Sequence, residues 1–284
     1  MDSNQPNTIL LCANYNTPEV TQRFIAHVLS LPNAPSVIVS DNDGSLATYH
    51  FDESKVKVYN NCHNPGYIGG CHLAYQSWCN ANSHYQPQWV GIVNTDIVFN
   101  DDFFTTLSSL NVAENVGAIA PDIRLPSGHA QNPYLMSRIP AEKISFYLRL
   151  FSNPLLFLLW DICSSVRNSV TPSTKRAETS VPQVAQTEVQ AAIYAPFGAA
   201  VFFTKSFFSK GGHFNYRGFL YQEEIFIAEQ LITLGLRCIY MPSLKILHYE
   251  STTVKTISII NKCKYKLDSM KVIAEDYYPG IRLP

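Results

Sequence analysis

Four short polar clusters interrupt otherwise apolar segments of this chain: Asp41-Asn42-Asp43, Asn94-Thr95-Asp96, Tyr221-Gln222-Glu223-Glu224 and His248-Tyr249-Glu250-Ser251. Asp96 follows the run Trp89-Val90-Gly91-Ile92-Val93, after which apolar residues resume as Ile97-Val98-Phe99. A carboxylate at the end of a buried strand costs free energy unless something compensates it, and a bound cation is one such compensation. Open α/β sheets place ligand sites beyond the carboxyl ends of their strands, which gives Asp96 a catalytic or cation-binding reading. Each cluster alone also has an ordinary explanation. Asp41 can cap a turn, Glu223 and Glu224 can form a solvated first helical turn, and His248 can be a satisfied core histidine. Their order along the chain carries the weight.

The elements that must position these clusters alternate between strand and helix. Thr8 to Ala13 reads as a buried strand, and Pro18 fits the first position of a helix capped by Thr17, with Val20, Phe24, Val28 and Leu29 on one face. Ser36 to Ser40 is a second strand closed by the turn-rich Asp41 to Ser45, Val56 to Tyr59 a third, Gly69 to Asn80 a helix, and Trp89 to Val93 a strand. This alternation implies a mostly parallel central sheet flanked by helices. Tyr134 to Val166 is apolar and helix-like, and Arg167 to Gln190 turns polar, as a mobile loop would. A helix from about Glu223 to Leu234 is closed by Gly235, and Arg237 to Met241 forms another strand.

Bulk properties narrow the classes. A length of 284 residues suits one large α/β domain, and a net charge of −1 gives no reason to expect nucleic acid. Seven cysteines without a CxxC pair or zinc spacing point to a reducing compartment, and Met1 to Pro6 lacks the basic and apolar regions of a signal peptide. A cytoplasmic location is expected, extending to the cytoplasmic face of the inner membrane.

In their order, the clusters resemble the family-2 glycosyltransferases of GT-A fold, in particular bacterial rhamnosyl- or galactosyltransferase-like enzymes of O-antigen and capsule synthesis. The resemblance runs from about Ile9 to Ser251. It rests on Asn14-Tyr15-Asn16, Asp41-Asn42, Asn64-Pro65-Gly66-Tyr67-Ile68-Gly69-Gly70, Asn94-Thr95-Asp96, Gly198 to Phe202, Gly211 to Phe214, Phe219 to Glu224, and His248 with Ser251. It implies a nucleotide-sugar-binding half over 1–133, a helical insertion and loop over 134–190, an acceptor and catalytic half over 191–254, and a basic helical tail over 255–284.

The resemblance further implies an inverting transfer from a UDP- or dTDP-sugar to a saccharide acceptor, often carried on a polyprenyl diphosphate. Asp41 would accept from the ring N–H of the base, and Asn14, Tyr15, Asn16 and Asn42 would line the base and ribose. Asn64, Gly66, Tyr67 and Gly70 would form a turn that lets the backbone approach the donor closely, with Asn94 and Thr95 nearby. Asp96 and His248 would hold Mg2+ or Mn2+. Glu224 would be the general base, with Glu223 its near competitor; a glutamate near its ordinary pKa is ionised at neutral pH and can take the acceptor's proton. The chain departs from the pattern at Asn94, His72, Gly44, Phe226 and Gln230.

The insertion has two readings. Leu155-Leu156-Phe157-Leu158-Leu159-Trp160 is too short to span a bilayer, yet six basic residues (138, 143, 149, 167, 175, 176) stand against Glu142 and Asp161 between Arg138 and Arg176. An apolar helix with basic flanks suits peripheral contact with an anionic membrane; the other reading is a core helix over the sheet. Lys255, Lys262, Lys264, Lys266 and Lys271 form a second basic stretch, facing either membrane or water. Two rival functions are a dinucleotide oxidoreductase, disfavoured because no GxGxxG follows the first strand, and an inactive glycosyltransferase-like scaffold.

Overall fold

The computed structural model describes residues 6–83, 85–170, 189–250 and 257–284, with backbone alone over 164–170. Strands β1 (Thr8–Asn14), β2 (Ser36–Asp41), β3 (Val56–Asn60) and β4 (Trp89–Val93) form a parallel set ordered β3-β2-β1-β4. Every residue of β4 is buried, as its unbroken apolar run requires of a central strand covered on both faces. Helix α1 (Pro18–Ser30) begins at the proline and buries Thr21, Phe24, Ile25 and Val28, leaving Val20 and Leu29 at the edge of that face. The Thr17 side chain makes no capping bond; its carbonyl instead accepts from the Thr21 amide at 3.1 Å. Helix α2 (Tyr67–Ala81) starts two residues earlier than its apolar pattern suggests.

The sheet is mostly parallel, as expected: among the described residues six of the nine strands run one way, and the second half adds three that run against them. β8 (Ala200–Thr204) enters antiparallel between β4 and β6 (Val116–Arg124). β6 pairs in parallel with β9 (Arg237–His248), whose other edge carries β5 (Ile97–Phe99) and β7 (Ala191–Ile193), both antiparallel. The result is a mixed sheet, because β8 returns from the 134–190 excursion running against both neighbours. The short helices α3 (Phe103–Ser109) and α6 (Lys205–Ser209) close this half. β9 is also longer than its apolar core suggests. It passes Pro242 by a register shift between Pro121 and Asp122 and continues to His248. Proline lacks an N–H to donate, so a bulge is the way past it. The extension pairs Ile97 with His248.

Helices α4 (Ala141–Phe151) and α5 (Pro154–Val170) meet at 109°. Asn153 starts α5, its side-chain oxygen accepting from the amides of Leu155 and Leu156. The two helices divide the two readings of the insertion. α4 buries Ile144, Leu148, Leu150 and Phe151 as core, whereas α5 buries Phe157 and leaves Leu155 72% and Leu159 59% exposed. Helix α8 (Ile259–Tyr277) packs on α4, α5 and α7 (Glu223–Thr233). One face of this basic helix is therefore packed, and the other is exposed. Lys262 pairs with Asp161 at 2.8 Å, and the Lys266 ammonium lies 4.3 Å from the Tyr221 ring centroid and 5.9 Å from that of Phe151. Lys264 is exposed. Ser251, Lys255, Lys175, Arg176 and most of the polar stretch 167–190 lie outside the described residues, as does the Arg167 side chain.

One buried carboxylate ties these parts together. Glu229, on α7, accepts from Arg138 Nε at 2.8 Å and Nη2 at 2.7 Å, and from the Tyr194 hydroxyl at 2.6 Å. The Tyr278 hydroxyl lies 2.9 Å from both Glu229 Oε1 and the Ile139 carbonyl. The insertion, β7, α7 and the C-terminus thus meet at one charge. Glu229 is buried but Arg138 is half exposed, so solvent screens the pair, and the two tyrosine hydroxyls stay on the carboxylate when the guanidinium is lost. Arg138→Leu is expected to lower stability by about 1 kcal/mol. The check is a lower urea midpoint at unchanged slope.

Candidate active site

The carboxyl ends of β1 and β2 form a hydrogen-bonded knot. Asn14, fully buried, donates through Nδ2 toward Asp41 Oδ1 at 2.8 Å, Ser45 Oγ at 2.8 Å and Asp43 Oδ1 at 3.1 Å, and accepts from the Thr21 hydroxyl. The second Asp41 oxygen accepts from the Leu46 amide at 3.0 Å. Asp41 is 1% exposed with both oxygens bonded from within, so in this conformation it anchors the turn and does not present an open acceptor. The accessible carboxylate is Asp43, which accepts from the Asn16 amide at 2.6 Å. Burial works to raise its pKa, but the Ser45 hydroxyl and the Asn16 and Ser45 amides outweigh it and hold the group below its ordinary value. Tyr15, 41% exposed, and Asn16 stand open at the same strand end.

The glycine turn is also internal. Asn42 is buried, bonded to Ser40 and Asn61, and donates to the Gly66 carbonyl at 3.1 Å. Asn64 accepts from the Gly66 amide at 2.9 Å. A Cβ at Gly70 would come within 2.7 Å of Ser40 Oγ, and one at Gly66 (φ +83°) would collide with the Phe219 carbonyl oxygen. Protein atoms, not a ligand, fill the space these glycines leave. Gly66 seats the Phe219 loop, and that loop leads to the two glutamates.

Asp96 and His248 are brought together by β5 and the extension of β9. Asp96 Oδ1 lies 3.3 Å from His248 Nε2, and the Tyr249 amide donates to the Asp96 carbonyl at 2.9 Å. His248 is buried, with Nδ1 2.7 Å from Gln131 Oε1. One carboxylate oxygen and one imidazole nitrogen facing each other is a donor set that suits a divalent cation. Among the described residues no third His, Cys, Asp or Glu joins them. Mg2+ and similar cations take one or two protein ligands and fill the rest from substrate phosphates and water, so the pair fits.

Residues Tyr221 (φ +70°) and Gln222 (φ +66°) precede α7 in the left-handed region, a conformation that costs free energy in non-glycine residues and clusters at functional sites. The turn separates the two glutamates. Glu223 folds back so that Oε1 accepts from the Tyr221 amide at 3.0 Å. Glu224 instead reaches Gly198, where its Oε1 would lie 2.9 Å from a Cβ. Burial, then the neighbouring Glu224 charge, pushes Glu223 up to about 8, and burial also raises Glu224. The expectation of a glutamate near its ordinary pKa is therefore corrected: burial raises both carboxyls. For Glu223 the folded value lies above the unfolded 4.5, so its contribution to stability is full below that pH and is lost as pH rises through about 8.

Phe197-Gly198-Ala199 joins the two centres. The Phe197 ring is 6.0 Å from that of His248, Tyr67 donates weakly to the Gly198 carbonyl at 3.5 Å, and the Asn94 amide donates to the Ala199 carbonyl at 2.8 Å. Burial raises the Tyr67 phenol most, then Cys71 and Cys12, with Glu223 and Asp96 adding in the same sense. Asn94 and Thr95 are half-buried. Lys266, missed as a site residue in the sequence, is lowered by burial and by Lys262, while Glu224 and Glu223 oppose the shift. Its ammonium lies over the Tyr221 ring, beside the turn that carries the pair.

No family model and no curated protein matches the sequence. Among solved structures, that of GalNAc-T7 with UDP, GalNAc and Mn2+ superposes on the whole of this chain with a TM-score of 0.52 at 14% sequence identity. The chain spans 59% of the length of that protein chain. The likeness assigns the architecture to the GT-A fold.

Proposed function

Proceeding from that fold, we propose that the protein is a metal-dependent glycosyltransferase that takes a UDP- or dTDP-sugar and inverts the anomeric centre. The observation that carries the reading is the placement of an Asp96–His248 pair and a Glu224–Glu223 pair on either side of the Phe197-Gly198-Ala199 segment. GalNAc-T7, of the same architecture, was solved with UDP and Mn2+. Asp96 and His248 would hold the divalent cation, which when bound neutralises charge on the departing diphosphate. A nitrogen ligand favours Mn2+ over Mg2+ of the two. Tyr15, Asn16 and Asp43 stand where a nucleoside would meet the strand ends, with Asp41, Asn14 and Asn42 behind them shaping the turn.

Glu224 would take the proton of the acceptor hydroxyl as it attacks, and Glu223 would hold the strained turn that aims it. Lys266 supports the ionised form of the pair. The inactive-scaffold reading differs in its outcome: it expects nucleotide binding without transfer. A panel of nucleotide sugars incubated with lipid-linked saccharides, with products read by NMR, tests the reading. Transfer with inverted anomeric configuration is the expected result; retained configuration would remove the single-displacement mechanism.

The acceptor is proposed to be lipid-linked, as in bacterial surface polysaccharide synthesis, with α5 resting on an anionic membrane. Its Leu155, Leu156, Leu159 and Ile162 are exposed, with Trp160 at the edge and Arg149 and Lys264 exposed on the helices packed beside it. Through Lys262–Asp161 this face adjoins α8, which carries Lys266 to the glutamates. A second copy of the chain would set the same basic residues against each other. Binding to anionic vesicles that weakens with salt and is lost in Leu155→Asp/Leu159→Asp is expected. A salt-insensitive dimer with no vesicle binding would assign the face to a second copy.

A further inference from the structure

Gln131 lies in the hairpin that follows β6, where its backbone amide donates to the Ile123 carbonyl at 2.8 Å. Its side chain bridges two residues beside the Asp96 site. Nε2 donates to Glu250 Oε1 at 2.8 Å, and Oε1 lies 2.7 Å from His248 Nδ1. The direction of this amide is fixed by chemistry. An ionised carboxylate only accepts, so the NH2 end must face Glu250 and the carbonyl end must face His248. A carbonyl also only accepts, so Nδ1 of the ring carries the proton. A neutral imidazole has one N–H; Nε2 is then left with its lone pair directed at Asp96 Oδ1, 3.3 Å away.

We propose that Gln131, oriented by Glu250, is a positioning residue that sets the tautomer of His248 so that Nε2 is presented beside Asp96 as a ligand for a divalent cation. The cation rests on the function proposed above; the tautomer does not. Without Gln131 the ring is free to carry its proton on Nε2 and donate it to Asp96. The two ligands then satisfy each other, and a cation must displace that proton before it binds. Outer partners of ligating histidines set ring orientation and basicity in this way, and their loss typically costs 10–100-fold in metal affinity.

The test uses the full chain labelled with 15N-histidine, free of metal and at alkaline pH so that a neutral ring is read. The His248 signals are assigned by their loss in His248→Gln. Mn2+ affinity is measured in parallel by electron paramagnetic resonance of the free ion. The wild type should show the Nδ1–H tautomer. Gln131→Leu should move His248 to the Nε2–H tautomer and weaken Mn2+ binding by about 10–100-fold. The exchange Gln131→Glu/Glu250→Gln rebuilds both hydrogen bonds with the carboxylate and amide swapped, and should restore both readouts. An unchanged tautomer and affinity in Gln131→Leu would overturn the proposal, as would an exchange variant no better than Gln131→Leu. A wild type that shows Nδ1–H yet binds no Mn2+ would uphold the tautomer and overturn the cation reading alone.

Discussion

Glu224→Gln is expected to slow sugar transfer by about a thousandfold while leaving nucleotide binding nearly unchanged. The two glutamates are adjacent in sequence but do different things in space. Glu223 is spent on the Tyr221 amide, where it closes a turn held by two left-handed residues. Glu224 reaches Gly198, the backbone that separates it from Asn94 and Asp96. A glutamine at 224 keeps the shape and removes the proton acceptor, so the rate of transfer should fall with little change in binding. Burial raises the Glu224 pKa, so the wild-type rate should rise with pH across a range above that of an ordinary glutamate. That limb should vanish in the variant. Near wild-type transfer by Glu224→Gln, with loss in Glu223→Gln, would exchange the two roles. Steady-state rates of both variants from pH 5 to 9, with nucleotide affinity measured alongside, make the check.

Asp96→Ala carries the second large effect, at the proposed cation site. Asp96 would supply the carboxylate of that site beside His248, which is buried and bonded from behind to Gln131. Losing it should abolish the dependence of nucleotide diphosphate binding on Mn2+ and lower kcat/KM by about a thousandfold, the rate equivalent of roughly 4 kcal/mol of charge stabilisation. The protein should still fold, because Asp96 sits in a connection and the strands on either side keep their ladders. An Asp96→Ala protein that binds UDP or dTDP with the same Mn2+ dependence would place the cation elsewhere.

What could be read in the sequence follows from how local each signal is. The buried run Trp89–Val93 and the acid after it are legible because a central strand writes its burial into consecutive residues. The sense of β8 is not, since it depends on where the chain re-enters the sheet after the 134–190 excursion. The order of the clusters picked out Asp96 and His248, but their contact depends on β9 running past Pro242, where apolar alternation gives a weak guide. Asp41 was legible as an acid at a strand end; that it is buried and leaves Asp43 as the open carboxylate depends on side-chain packing that sequence spacing does not encode. Gln131 left no signal at all, and Lys266 showed only as one member of a basic stretch. Each reaches the site from an element distant in sequence, and a lone Gln or Lys in such a segment resembles any surface residue.

The most direct measurement is isothermal titration of UDP and dTDP into the wild-type protein and Asp96→Ala, with and without Mn2+. The wild type should bind at least one of the two nucleotides tightly when Mn2+ is present and weakly after chelation. Asp96→Ala should bind weakly under both conditions. Binding of neither nucleotide in either condition, or binding by the wild type indifferent to Mn2+, would contradict a metal-dependent nucleotide-sugar site at Asp96.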